Sequence, residues 1–155
     1  MIWEELKESL IIIGMEAKSS QDVFEQLGGA LTKEGYTKDS YIEALSARET
    51  NYPTGLDING IGVAIPHTDV SHVNKAGIAI GILKEPVPFI QMATDDEVVK
   101  VKLVFMLSVI DPNAHLEELK QILAIIQDTD VLKKLTETDE KQQIIKIIKE
   151  KEITL

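Results

Sequence analysis

Three histidines and a single arginine are the side chains here best suited to handling a charged group. His67 follows Gly60-Ile61-Gly62-Val63-Ala64-Ile65-Pro66, which reads as a buried strand stopped by proline. Proline fixes its own φ and donates no hydrogen bond, so the chain leaves the sheet there. In open α/β folds ligands collect at such strand ends, where loops sit on rigid supports. His67 is therefore exposed enough to react and held firmly enough to be aimed. A surface-loop histidine with no role would carry the same signature. His115 opens the helix that follows the long apolar run from Val98 to Ser108. Helix openings after strands often share one rim of a sheet, so His67 and His115 could meet. Two imidazoles side by side suit phosphoryl chemistry, since one accepts the group while the other donates N–H to its charge. The plainer reading of His115 is a first-turn residue facing water.

Arg48 is the one arginine, all other cationic side chains being lysines. A guanidinium offers planar, bidentate donors to a phosphate, which lysine cannot match. Its place near the end of a helix would also serve to offset the helix dipole. His67-x-Asp69-x-x-His72 keeps a rival open, because these ligand types at this short spacing suit zinc or another divalent ion. That would make a metal-dependent hydrolase. No phosphate-cradling glycine loop and no Gly-x-Ser-x-Gly elbow is present.

Elements that must position these residues follow from periodicity. Leu10 to Ile13 reads as a strand. Ser19, with Asp22 three residues on, opens a helix with Val23, Leu27, Ala30 and Leu31 on one face and Gly35 beyond its end. Gly28-Gly29 inside it costs about 1 kcal/mol each against alanine, which suggests close packing on a sheet. Thr37 is placed to cap a second helix that runs to Arg48-Glu49, with Tyr41, Ala44 and Leu45 inward. Tyr52-Pro53-Thr54-Gly55 breaks it. Ile61 to Ile65, Gly77 to Leu83 and Val98 to Ser108 read as strands, the last alternating and then continuously apolar. Gly77 and Gly81 mark places where only small groups would fit under a covering helix. Glu85-Pro86-Val87-Pro88 reads as a turn. Asp111-Pro112-Asn113 opens a helix with Leu116, Leu119, Ile122, Leu123 and Ile126 on one face. Two further helices open at Asp130 and Thr138.

Helices before, between and after buried strands imply an α/β three-layer sandwich: one mixed, mostly parallel sheet with helices on both faces. The 155 residues form one domain, 44% apolar and 27% charged, large enough to fold without disulfides or a structural metal. Absence of cysteine excludes a disulfide scaffold, a thiolate zinc site and a catalytic thiol. A net charge of −10 repels nucleic acid and anionic membranes. The start lacks the order of a signal peptide, and no apolar run approaches the roughly 20 residues of a membrane span. A cytosolic protein without membrane insertion is expected.

The run Ala44-Leu-Ser-Ala-Arg48-Glu49, then Tyr52-Pro-Thr54-Gly55-Leu, then Gly62-Val-Ala-Ile-Pro66-His67 resembles the enzyme IIA component of the bacterial phosphoenolpyruvate-dependent sugar phosphotransferase system. The likeness covers essentially the full length, residues 1–155, within the fructose/mannitol superfamily. Ile-Pro-His67-Thr-Asp69, followed by His72-Val73, is most similar to the galactitol-type branch. The resemblance implies a phosphocarrier. His67 would take a phosphoryl group from phospho-HPr and pass it to a cysteine of enzyme IIB, working with a membrane enzyme IIC. It implies no cofactor, the phosphoryl group being carried covalently on His67. Arg48 would steady the phosphate and His115 would sit beside His67. Thr54 would bond the phosphate or orient His67, and Glu49 would serve structure. Ile65, Val70 and Val73 would form an apolar rim for partners. Nitrogen-regulatory relatives share the Pro-His loop, so signalling is the alternative to transport.

Overall fold

Five strands form one sheet: β1 (Ile11–Met15), β2 (Gly55–Ile58), β3 (Ile61–Ala64), β4 (Gly77–Ile90) and β5 (Val98–Ser108). The computed structural model describes all of residues 1–155. The spatial order is β1-β4-β5-β3-β2. β1 runs parallel to β4 and β3 parallel to β5, while β4–β5 and β2–β3 are antiparallel. The sheet is therefore evenly mixed, not mostly parallel. The cause is two short connections, Asn59-Gly60 and the loop of residues 91–97, because a parallel pair needs a crossover of about a dozen residues. Asn59 and Gly60 both have positive φ, 51° and 90°, as the tight turn of a right-twisted hairpin requires. That hairpin brings in β2, a strand the sequence reading lacks.

β4 also differs from expectation. Glu85 to Pro88 makes no turn; the chain stays extended, with a register shift between Ile82 and Val87. β1 pairs with β4 only as far as Leu83, so the edge beyond is open. Prolines are tolerated there because no ladder bond is asked of them.

One face carries a continuous helix built from α1 (Ser20–Val23), a π-helical stretch (Phe24–Gly28) and α2 (Gly29–Lys33), followed by α3 (Tyr41–Asn51). The other carries α4 (Pro112–Ile126), α5 (Thr129–Glu137) and α6 (Lys141–Ile153), with an N-terminal 3-10 turn, Ile2–Glu5. Alternation along β5 sends Phe105 into one core with Ile122 and Ile148, and Met106 into the other with Leu27 and Leu45. Both layers of the expected sandwich are thus present. Fully burying each such side chain contributes about 1.5–3 kcal/mol.

Local details correct several expectations. Ser19 caps α1 by accepting from Asp22 N at 3.2 Å, and the Asp22 carboxylate accepts from Lys18 N, not from Ser19. Gly28 packs on a helix and not on the sheet: a Cβ there would lie 2.9 Å from Ile42 Cγ1, whereas Gly29 faces open space. The close approach to the sheet is at Gly81, where a Cβ would lie 3.0 Å from Leu27. Gly77 lies under the ring of Tyr36, not under a helix. Thr37 caps nothing. It is buried, it shares a hydroxyl bond with Thr32 at 2.8 Å and it bridges to Val73, so α3 starts only at Tyr41. α5 and α6 are led by Asp128 and Glu140.

Candidate functional site

β3 and β5 lie side by side and point the same way, Ala64 opposite Val104, so both chains leave the sheet on one rim. β3 continues through Ile65 and Pro66 to His67. The Pro66 carbonyl accepts from Leu107 N at 3.0 Å, which fastens this exit to β5. β5 continues to Asp111, whose carboxylate accepts from Asn113 N and starts α4, with proline in the first turn. One turn later comes His115. Parallel neighbours therefore bring together two histidines far apart in sequence. Their ring centroids are 4.6 Å apart, with the planes tilted at 55°.

The Nδ1 of His67 lies 2.9 Å from the carbonyl oxygen of Ile65. A carbonyl only accepts, so Nδ1 carries the proton and Nε2 keeps its lone pair. Burial lowers the pKa of His67, against the pull of that carbonyl, and the Arg48 guanidinium lowers it further. Burial, then His67, then Arg48 push His115 down to about 4. Both rings are neutral at pH 7: one is a nucleophile with an oriented lone pair, and the other stands beside it.

α3 delivers Arg48. Its guanidinium carbon lies 4.9 Å from the centre of the Tyr52 ring, and its Nε is buried with no hydrogen-bond partner in the protein. A buried cationic donor left unpaired is costly unless an anion meets it. The same charge reaches both histidines. This corner can hold an anion against a neutral nucleophile, which suits phosphoryl transfer by alignment and charge stabilisation.

Other expected residues stand elsewhere. Thr54 is buried, and its N–H and hydroxyl both donate to Glu49, at 2.6 and 2.7 Å. With its proton committed, Thr54 holds the turn after α3 instead of offering a donor to phosphate, and Glu49 is the brace. Ile65 and Val73 are 2% and 7% exposed and belong to the two cores, so they cannot form a contact rim. Val70 is exposed, and the other exposed apolar groups near the histidines are Tyr52, Ile110 and Leu116. Leu116, expected inward, faces solvent because α4 turns His115, Leu119 and Ile122 toward the protein. His67, Asp69 and His72 do not assemble a metal-binding group. Asp69 accepts from Ser71 and caps the turn Val70–His72, and His72 Nδ1 bonds the Ser40 hydroxyl at 2.8 Å. Tyr52 and Glu118 were missed; both flank residues already singled out, Glu118 standing one helical turn after His115.

A sequence profile described as "Phosphoenolpyruvate-dependent sugar phosphotransferase system, EIIA 2" matches residues 4–151. The chain belongs to this family. Among its relatives is the galactitol-specific EIIA component of Escherichia coli K12, 30% identical over 129 residues, which are 83% of this chain and 85% of that one. This EIIA chain also shares its fold with the mannitol enzyme IIA of Escherichia coli, solved in complex with phosphorylated enzyme IIB. There the TM-score is 0.78 at 23% identity, covering 94% of this chain and 97% of the other. The nitrogen regulatory protein IIA-Ntr of Neisseria meningitidis gives a TM-score of 0.76 at 28% identity over 95% and 98%. No helix of this EIIA chain is long and apolar enough to cross a membrane.

Proposed function

We propose that this EIIA chain is a cytoplasmic phosphocarrier of a galactitol-type sugar system. His67 Nε2 attacks the phosphorus of phospho-HPr, the N–P bond to the donor breaks, and the phosphoryl group becomes covalently bound to His67. It then leaves to a cysteine thiolate of enzyme IIB, restoring the lone pair, for use by a membrane enzyme IIC. No cofactor is required. The observation that carries this reading is the bond from His67 Nδ1 to the Ile65 carbonyl, which commits one nitrogen and leaves the other its lone pair, in a ring whose centre lies 4.6 Å from that of His115. Arg48 and the N–H of His115 stabilise charge on the three equatorial oxygens of a loose transition state. The galactitol assignment is supported by 30% identity to the Escherichia coli component.

Intact-protein mass spectrometry after incubation with phosphoenolpyruvate, enzyme I and HPr, at mildly alkaline pH, tests it. One added phosphoryl group on the wild type and none on His67→Ala is the expected result. Labelling that survives the substitution moves the acceptor elsewhere, and no labelling by partners shown to be active ends the reading. Likeness to the nitrogen regulatory protein supports a second role, signalling. A chain that is labelled on His67, but whose deletion leaves galactitol uptake unchanged, would favour it.

A further inference from the structure

α4 places Glu118 one turn after His115, so the two side chains share a face. His115 Nδ1 and Glu118 Oε1 are both closed off from solvent, and neither has a hydrogen-bond partner in the protein. The two residues line a small, partly open pocket of about 30 Å3 between α4 and the end of β5, together with Ser108 and Asp111. That leaves room for a water molecule, and buried polar groups are almost always satisfied. We propose that Glu118 is a positioning residue for His115, acting through one water in this pocket, and that the pair passes a proton when a phosphoryl group arrives on His67.

The chemistry follows from which nitrogen is enclosed. Nδ1 is shut in, so Nε2 is the edge of His115 left for the rim and for the ring of His67. Burial, and then the Glu5 carboxylate of the N-terminal turn, push Glu118 up to about 7. Met1, Glu4, Glu5 and Glu117 line a second pocket with Glu118. His115 is faced by His67 and Arg48. Below about pH 7 the carboxyl O–H of the free protein donates to the water, and the water donates to Nδ1. The proton on Nε2 is thereby kept pointing into the site. When the phosphoryl dianion forms, the water gives one of its protons to Nδ1 and takes the proton of Glu118. The result is an imidazolium beside the phosphate and a carboxylate behind it, with no change in net charge. Departure of the phosphoryl group reverses both transfers. The relay rests on the phosphocarrier reading; the orientation of the ring does not.

Imidazole 15N NMR on the intact chain, free and phosphorylated, tests this in wild type, Glu118→Gln and Glu118→Leu, with folding checked by the amide spectrum. The free wild type should show Nδ1 bare and Nε2 protonated on His115, and the phosphorylated form should show both protonated. Glu118→Gln can still donate to the water, so it should keep the free tautomer but leave His115 neutral on phosphorylation. Glu118→Leu should mix the tautomers and lower the pKa of His115 in the phosphorylated form by about one unit, a tenfold loss. Identical nitrogen shifts in all three chains overturn the proposal. A labelled wild type whose His115 stays neutral overturns the relay alone. A wild type that takes no phosphoryl group overturns the relay with the carrier reading, and the free-state tautomers then decide the positioning.

Discussion

Lowering the pH from 7 to 5 should cost the wild-type chain more stability than it costs His115→Asn. Folding holds His115 down at about 4, against an ordinary histidine value of 6.5. Between those values the unfolded chain binds a proton that the folded chain refuses, so stability falls as pH falls through that window. A shift of that size corresponds to about 3.4 kcal/mol in full, of which about 2 kcal/mol is expressed at pH 5. The ring is only partly buried, and solvent screening reduces the figure to about 1 kcal/mol. For a chain of this size that is a Tm difference of about 2–4 °C. Thermal melts followed by circular dichroism at pH 7, 6 and 5 measure it, each variant referred to its own value at pH 7. Glu118 titrates in the opposite sense but is present in both chains, so it largely cancels from the difference. Melting temperatures that fall in parallel for the two chains would refute the reasoning, since His115 would then titrate alike folded and unfolded.

The sign reverses for Glu118, whose folded value near 7 lies above the ordinary carboxylate range: Glu118→Gln should raise Tm at pH 8 and raise it by much less at pH 5. Gly62→Ala should lower the urea midpoint by the equivalent of about 2–3 kcal/mol, because its Cβ would run into the Lys100 carbonyl of the neighbouring strand and backbone cannot step aside. Thr54→Val should cost about 1–3 kcal/mol in the same titration by leaving the Glu49 carboxylate without its hydroxyl donor. Arg48→Lys should leave Tm within about 1 °C of wild type yet slow phosphoryl capture by His67 roughly tenfold to a hundredfold in a quenched-flow assay, since an ammonium cannot offer the planar fork.

Much of this architecture was legible from local chemistry. Pro66 announced where β3 ends, and the change from alternating to continuous apolar residues in β5 announced its passage into the centre of the sheet. What sequence hid was long-range or satisfied elsewhere. β2 went unread although Asn59-Gly60 is a strong hairpin signal, because Gly55-Leu-Asp-Ile58 is short and its pairing supplies most of its order. Thr37 and Thr54 have the right chemistry for a cap and for a phosphate donor, but tertiary partners, Thr32 and Glu49, claim their hydroxyls. Ile65 and Val73 flank the histidine loop in sequence, yet strand pairing turns them inward. The pairing of His67 with His115 was open on spacing alone. It is decided by β3 and β5 being parallel neighbours, a fact that no short window of sequence contains.

That adjacency has a consequence for how the chain can vary. The 4.6 Å between the two imidazoles is close to the 4.7–4.9 Å that separates neighbouring strands in any sheet. What the sheet fixes is the spacing of the two chain exits, with the Leu107–Pro66 bond as its last rung. Side chains in the helical layers can be exchanged wholesale without changing it. A fold preserved at a TM-score of 0.78 with only 23% identity is what such a gauge permits. Natural variation should therefore run freely through α5 and α6, and should be tightest where a substitution would lengthen or shorten either exit from the sheet by a single residue.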